Sequence, residues 1–205
     1  MVKYHEVTGM PVLSRSEGKA IGITHQLAVD LTEVKVVALV IEAETTGSLA
    51  LPIKNIYSFG RDCVMAHSEN DMLLIGALAK REDNIEFCEK IVGISIVTEN
   101  ESHVGEVGSF CFEEGSGMIT HFITSEGLFS DWIHGKGLLA KEGVLSFSRN
   151  ALVVTEASAE LARIMKTRPG LKHKATSITQ RVESRAKEAK KKVEIALKSK
   201  KSVSS

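Results

Sequence analysis

An internal repeat is the feature of this sequence that most constrains its fold. Residues 27–40 lie over residues 110–123 at a constant offset of 83, and residues 51–65 lie over residues 139–153 at an offset of 88. A Ser-Phe pair present in both copies fixes the second register. A repeat of this length is a duplicated domain, because it is too long to be one unit of a solenoid. The sequence therefore predicts two copies of one fold unit.

Each copy has the pattern of short β-strands. The run KVVALVIEA at 35–43 is rich in β-branched residues, as expected of a strand with little exposed surface. SEGK at 16–19 is a turn signal, and DLTEVK and EEGSGM are typical of hairpin connections. Strands at this spacing, without a long helical pattern, predict a small closed barrel in each copy. A β-sandwich is the alternative, and the shortness of each copy favours the barrel.

The first copy also carries glycines, a Leu-Pro pair and a Ser-Phe-Gly-x-Asp-x-Val stretch at fixed places between its strands. The positions are Gly9, Val12, Gly18, Lys19, Gly22, 36–41, Leu51, Pro52, Ser58, Phe59, Gly60, Asp62 and Val64. This pattern resembles the PRC-barrel family. The second copy departs from it, because Ala140 replaces the proline and Ser148 replaces the glycine.

The resemblance covers residues 3–68 and 87–156. It implies an all-β fold of two tandem small antiparallel β-barrels, PRC-barrel-like, followed by a basic C-terminal tail that is helical or disordered. The predicted divisions of the chain are a first barrel at 1–68, a linker at 69–86, a second barrel at 87–156 and the tail at 157–205.

Side chains in the spacings that catalysis or metal binding requires are not found in the sequence. The histidines form no HxH or HExxH pattern, the cysteines form no CxxC pair, and no serine lies in a G-x-S-x-G. His121 interrupts an otherwise apolar strand, and a strand residue that faces outward or is hydrogen-bonded is favoured over a ligand or a base. We therefore predict no enzyme activity, no catalytic, metal-binding or cofactor-binding residues, and no cofactor.

The function expected from the resemblance is docking. Members of the PRC-barrel family with known roles act as docking or scaffolding domains in electron-transfer complexes, ribosome assembly and cell division. We therefore expect a non-enzymatic adaptor that binds a protein partner through its barrels, with no small-molecule substrate. The alternative is an RNA- or ribosome-associated assembly factor that uses the basic tail. A ligand site inside a barrel is least favoured, because a barrel of this size fills its interior with side chains.

The charge of the chain is divided between a body and a tail. Residues 163–205 hold 14 of the 26 Lys and Arg residues and 3 of the 26 Asp and Glu residues, so this segment carries +11 and the rest carries −11. Apolar residues recur every three or four positions from Ile178 to Leu197, which is typical of a helix. Such a tail could bind an anionic membrane surface or RNA, or stay solvated. The residues predicted to contact an anionic surface are Arg181, Arg185, Lys187, Lys190, Lys191, Lys192 and Lys198.

No segment approaches the roughly 20 apolar residues that span a bilayer. The N-terminus lacks the apolar core and cleavage site of a secretion signal. The expected location is therefore the cytoplasm, with peripheral binding to the inner membrane face if the tail meets lipid.

The second copy contains an insertion that the first copy lacks. Residues 127–135 replace the shorter stretch TTGS at 45–48 and include the single tryptophan of the chain. Four apolar side chains fall on one face of a helical turn: Leu128, Phe129, Trp132 and Ile133. This face either folds down to cap the second barrel or stays exposed to anchor a protein partner, since aromatic residues often dominate interfaces.

Overall fold

The computed structural model of the protein describes residues 1–43, 47–79, 84–125 and 137–167. We call residues 1–79 the first half and residues 84–167 the second half. The strands of the first half are β1 (Val2–Lys3), β2 (Pro11–Ser14), β3 (Ala20–Asp30), β4 (Lys35–Ala43), β5 (Gly47–Pro52), β6 (Ile56–Phe59), β7 (Val64–Ala66) and β8 (Leu73–Leu74). Those of the second half are β9 (Ile85–Phe87), β10 (Ser95–Thr98), β11 (His103–Phe112), β12 (Ile119–Ser125), β13 (Leu138–Ala140), β14 (Val144–Phe147) and β15 (Ala151–Val154).

Helices are short and few in the described residues. They are α1 (Tyr4–Val7), α2 (Ile75–Ala79), α3 (Cys88–Ile91) and α4 (Glu156–Thr167), with 3-10 turns at Ile53–Asn55, Glu69–Asp71 and Lys141–Gly143. The prediction of a mostly β protein is therefore confirmed. No helix in the described part of the chain is both long and apolar enough to cross a membrane.

The strands pair into two sheets that share one strand order. The order is β6-β7-β2-β3-β4-β5-β8 in the first sheet and β14-β15-β10-β11-β12-β13 in the second. Each sheet contains one parallel pair, β2 with β7 and β10 with β15. Val12 lies opposite Val64 in the first pair, and Ile96 lies opposite Leu152 in the second. These four residues occupy corresponding positions of the repeat, so the registers of the two sheets match.

Each half extends an N-terminal arm onto the sheet of the other half. We call β1 with α1 the first arm and β9 with α3 the second arm. Val2 of the first arm pairs with Phe112 on β11, and Glu86 of the second arm pairs with Val29 on β3. Glu86 follows Val2 by 84 positions and Phe112 follows Val29 by 83, so the two pairings are equivalent. The exchange is therefore reciprocal.

The hairpin turns of the two halves meet directly. Lys35 forms an antiparallel bridge with Met118, which lies 83 positions later and is its own equivalent in the repeat. The Val36 N–H donates to the Gly117 carbonyl at 2.8 Å, and the Ile119 N–H donates to the Val34 carbonyl at 3.1 Å. An antiparallel bridge between equivalent residues places a local twofold axis between the halves, because each residue then takes the role of the other.

One continuous apolar core runs through both halves, but the side chains that fill it differ. In the second half, Phe122 lies between Phe110 and Phe147, with ring centroids 6.5 and 5.4 Å away. The equivalent positions of the first half are Leu27 for Phe110, Leu39 for Phe122 and Phe59 for Phe147. All except Phe59 are buried to 8% exposure or less. Phe59 also contacts Phe112 across the halves at 5.7 Å, so the two parts of the core are joined.

The segment predicted as a linker, 69–86, contributes to the first sheet. Its strand β8 pairs with β5, and its Leu73 and Leu78 pack on a cluster of alanines at 28, 38 and 50. Strand β9 begins inside the same segment and pairs with β3. The segment is thus more than a connection, because it covers an edge of the first sheet and supplies the second arm. The predicted domain boundaries themselves stay a prediction.

The corresponding edge of the second sheet is covered by helix α4 instead. This helix packs on β13, and its Ser158 lies so close to Gly143 that a Cβ there would be 1.9 Å from the serine hydroxyl oxygen. Glycine is therefore required at this position for the helix to reach the sheet. Among the strands that the structure describes, the pairing does not close either sheet into a barrel, so barrel closure stays a prediction.

Candidate functional site

A groove runs along strand β14 where the two halves meet. Its volume is about 580 Å³. The β14 groove, as we call it, is lined by Leu31, Thr32, Glu33, Val34, Met118, Lys141, Glu142, Val144, Leu145, Ser146 and Phe147. The first four belong to the β3–β4 turn of the first half, and the others belong to the second half. Neither half could form the groove alone, because the turn from the first half supplies one wall.

Strand β14 is the last strand of its sheet. It pairs with β15 on one side, and no strand of the described part of the chain pairs with it on the other. A β-bulge between Val144 and Ser146 leaves Leu145 facing outward, where it is 39% exposed. An edge strand presents unpaired N–H and C=O groups, so β14 offers backbone hydrogen bonds beside an apolar side chain.

Lys141 fixes the two walls of the groove to each other. Its ammonium group donates to the Glu33 carbonyl at 3.1 Å and lies 3.7 Å from the sulfur of Met118. The carboxylates of Glu33 and Glu142 also line the groove, so its charged side chains are two acids and one lysine. A hydrogen bond thus joins the two walls across the half-to-half contact, and the charged side chains of the groove sum to a net negative charge.

The equivalent surface of the first half is shaped differently. The positions that correspond to the β14 groove are divided there between a cavity of about 160 Å³, which includes Lys35 and Lys54, and one of about 460 Å³, which includes Phe59. Tyr57 takes the place of Leu145 and is 50% exposed, but the Arg15 guanidinium lies 4.1 Å over its ring. The two halves therefore share a strand order and differ at this edge.

Two titratable side chains inside the fold have pKa values shifted by burial. Burial lowers the pKa of His121, whose Nδ1 has no hydrogen-bond partner in the described structure and which lies between Cys111 and Ala140 in the sheet. Burial also raises the pKa of the Cys88 thiol, which favours the neutral and unreactive form. Among the described residues, no group of three His, Cys, Asp or Glu side chains could hold a metal ion.

The site residues predicted from the sequence lie outside the described residues. This holds for Leu128, Phe129, Trp132 and Ile133 of the insertion, and for Arg181, Arg185, Lys187, Lys190, Lys191, Lys192 and Lys198 of the tail. The structure does describe the ends that flank the insertion. The Thr124 N–H donates to the Gly137 carbonyl at 2.9 Å, and the Gly137 N–H donates to the Thr124 hydroxyl at 3.1 Å. The insertion therefore begins and ends at a closed pair of strands.

Sequence reasoning did not identify the β14 groove. One signal was present, since Tyr57 and Leu145 are apolar residues at the same position of both copies, beside the Ser-Phe pair. The second wall could not be identified in this way, because it depends on how the halves pack.

Two small sheets of matching strand order, each with one parallel pair, define the described part of the chain as a small β protein. The resemblance seen in the sequence is confirmed, because residues 83–158 match the model of the PRC-barrel domain. The match covers the second half of the chain, which therefore contains a PRC-barrel domain. No curated protein matches the chain.

Proposed function

We propose that this protein is a non-enzymatic adaptor built from two PRC-barrel units in tandem, and that it binds a partner protein in the β14 groove. The observation that carries the proposal is the edge of β14, which no strand among the described residues covers, beside a groove of about 580 Å³. Grooves of this volume next to an unpaired strand are suited to a protein segment, which can bury side chains and complete the backbone hydrogen bonds at once.

The tandem arrangement is supported by the matching of the two sheets. The family match covers the second half, whereas the first half is linked to it by strand order, by register and by the reciprocal arms. The two exchanged arms and the bridge between the hairpin turns connect the units at three places. Such connections suit an adaptor, because a partner-binding surface that is formed before the partner arrives costs less ordering on binding.

The proposal is tested by placing a photo-activated cross-linking residue at position 145 of the full chain, in cells of its source. The matched control carries the same residue at position 57, the equivalent place in the first half. We expect light-dependent adducts with a small set of proteins from position 145 and few from position 57. Each captured protein is then purified and titrated against the unmodified chain and against Leu145→Lys.

Two results would contradict the adaptor proposal. One is a chain that gives no protein adducts from position 145. The other is a set of captured proteins whose purified forms do not bind the unmodified chain, since chance encounters also produce adducts. If Leu145→Lys leaves the binding constant unchanged, the partner binds at a surface other than β14. The adaptor function would then stand, but the proposed site would not.

The basic tail favours a second candidate, an RNA- or ribosome-associated factor, or a protein held at the inner face of the cytoplasmic membrane. Its charge of +11 over residues 163–205 is the observation behind it. Deleting residues 171–205 should abolish salt-dependent binding to RNA or to anionic lipid vesicles, because counterion release drives such binding. Side-by-side titrations with RNA and with vesicles separate the two surfaces.

The same deletion should leave the thermal midpoint of unfolding nearly unchanged, because the tail offers little apolar area for burial. A large drop in the midpoint would show that the tail packs on the folded body. The second candidate would then lose its basis in a free tail.

A further inference from the structure

Resting on the proposed function, we propose that the β14 groove binds an extended, basic peptide segment of the partner, which joins the second sheet as an added strand on β14. The segment places an aliphatic side chain against the apolar part of the groove and a Lys or Arg beside its carboxylates.

The extended form of the segment follows from the backbone of β14. In an antiparallel pair, alternate residues of a strand direct their N–H and C=O groups towards the neighbour, and the others direct them away. β14 has its neighbour β15 on one side, so its remaining groups point towards the groove. A helix keeps its backbone groups for itself, whereas an extended chain can pair with them.

The short length of β14 limits what can pair with it. Its four residues and the bulge at Leu145 give an edge that is too short and too twisted for broad sheet-to-sheet association. A single peptide strand needs only a few backbone hydrogen bonds, provided that its side chains add binding energy. The edge therefore favours one short segment over a second sheet.

The side chains of the groove favour an aliphatic residue in that segment. Val34, Val144 and Phe147 form its apolar part and are each less than 10% exposed, while Leu145 stands at its rim. A side chain that enters beside them removes apolar surface from water on both partners.

The charges of the groove favour a basic residue in the same segment. Glu33 and Glu142 line the groove, and the ammonium group of Lys141 is already hydrogen-bonded to the Glu33 carbonyl. The chain before residue 163 carries a net charge of −11, so the surroundings add to the same potential. A Lys or Arg of the segment is therefore attracted, and an acidic segment is repelled.

The test is a selection of short random peptides displayed on phage, using the full chain as the target. We expect the selected peptides to share an aliphatic residue and a Lys or Arg at alternate positions, since alternate residues of a strand face the same side. The synthetic peptide that binds best is then titrated. Leu145→Lys should weaken its binding by about tenfold or more, whereas the matched control Tyr57→Lys should leave it nearly unchanged.

Amide hydrogen exchange of the unmodified chain gives a readout that needs no variant. Addition of the best peptide should slow exchange within residues 144–147, because added-strand hydrogen bonds protect the N–H groups that face the groove. The double variant Glu33→Gln, Glu142→Gln should weaken the binding of a basic peptide. It should leave the amide hydrogen exchange of the free protein unaltered.

Three results would overturn the proposal. The first is that the selected peptides contain no basic residues. The second is that the best peptide protects the amides of a different surface from exchange. The third is that the selection enriches no peptide. The third would leave the adaptor function intact if position 145 still cross-links to a folded partner, so the two proposals fail separately. If the chain's own tail displaces the probe peptide, the occupant of the β14 groove would be the tail and not a segment of a partner protein.

Discussion

The two exchanged arms show how one backbone is packed in two ways. In the first arm, Tyr4 stacks on Phe110 of the other half, with ring centroids 5.3 Å apart and planes tilted by 18°. In the second arm, the equivalent residue is Cys88, which is fully buried against the backbone of Leu27, the equivalent of Phe110. A ring meets a ring on one side, and a thiol meets the backbone of a strand on the other. The geometry of the exchange is thus independent of the side chains that fill it.

The cores of the two halves also combine equivalent strands with different side chains. Phe122 has Leu39 as its counterpart, so aromatic packing in one half replaces aliphatic packing in the other. Interiors are close-packed, and a change of this size requires neighbours that change with it. The backbone registers stay the same because they depend on hydrogen bonds between strands. At the edge strand β14 the second half also borders a groove that the first half does not share.

The largest expected effect concerns the joint core. Phe122→Ala should lower the free energy of unfolding by about 3–5 kcal/mol, and its counterpart Leu39→Ala by about 2–5 kcal/mol. Because the arms and the core join the halves, the protein should unfold in a single transition, by heat or by denaturant. Both variants should lower the midpoint of that one transition. Two separate transitions, each affected by one variant, would show that the halves unfold independently.

The insertion is the second point at which the halves differ. If Trp132 caps the second sheet, Trp132→Ala should cost about 3–5 kcal/mol of folding stability. If it anchors a partner, the substitution should cost about 2 kcal/mol or more of partner affinity and change stability little. Fluorescence decides between them, since a blue-shifted tryptophan that acrylamide cannot quench is buried. An exposed tryptophan would remove the capping interpretation.

The contact on the local twofold axis gives a smaller effect. A Cβ at Gly117 would lie 2.1 Å from the Val36 carbonyl oxygen, whereas a Cβ at Gly115 would meet nothing within 4 Å. Both glycines have positive φ, +71° and +72°, so alanine is strained at either place. We expect about 1–2 kcal/mol of destabilisation for Gly115→Ala. Gly117→Ala should cost about 1 kcal/mol more, because the hydrogen bond between the halves is lost.

Equal losses from these two glycine variants, measured by chemical denaturation, would contradict this view of the axis. They would mean that backbone strain alone accounts for the destabilisation and that the contact between the hairpin turns adds nothing.

The smallest expected effect on stability concerns Glu17 in the β2–β3 turn, which differs from the corresponding β10–β11 turn of the second half. Hydrogen bonds from the hydroxyls of Ser14 and Ser68 and from the Glu69 N–H lower the pKa of the Glu17 carboxyl to about 2. A carboxyl with a lowered pKa stabilises the fold above its ordinary value of 4.5, and this stabilisation is lost as the pH falls towards 2. Glu17→Gln should therefore lower the thermal midpoint slightly at neutral pH, and the difference should vanish in acid.

The matched control for Glu17→Gln is Glu101→Gln, at the corresponding turn of the second half. There the Thr98 hydroxyl accepts hydrogen bonds from the N–H groups of Asn100 and Ser102. A midpoint difference for Glu17→Gln that persists unchanged down to pH values near 2 would show that the carboxylate charge does not matter.

The sequence determined the elements of this fold and their equivalence. The β-branched run at 35–43 became β4 within its predicted bounds, and the DLTEVK and EEGSGM signals lie at the hairpin turns. Strand propensity and turn chemistry act over a few residues, so they can be inferred from a local pattern. The repeat offsets also predicted which strands correspond, because equal patterns follow equal registers.

The tertiary structure alone decided which edges are paired and which stay open. Nothing in residues 2–7 indicates that this arm joins the other half, since a short strand looks the same whichever sheet it joins. Likewise, Leu145 at the rim of the groove and Leu139 in the core are both leucines in strands of one sheet, and the alternation of side chains cannot tell which edge stays uncovered. These choices depend on the summed packing of distant segments, which no local stretch of sequence contains.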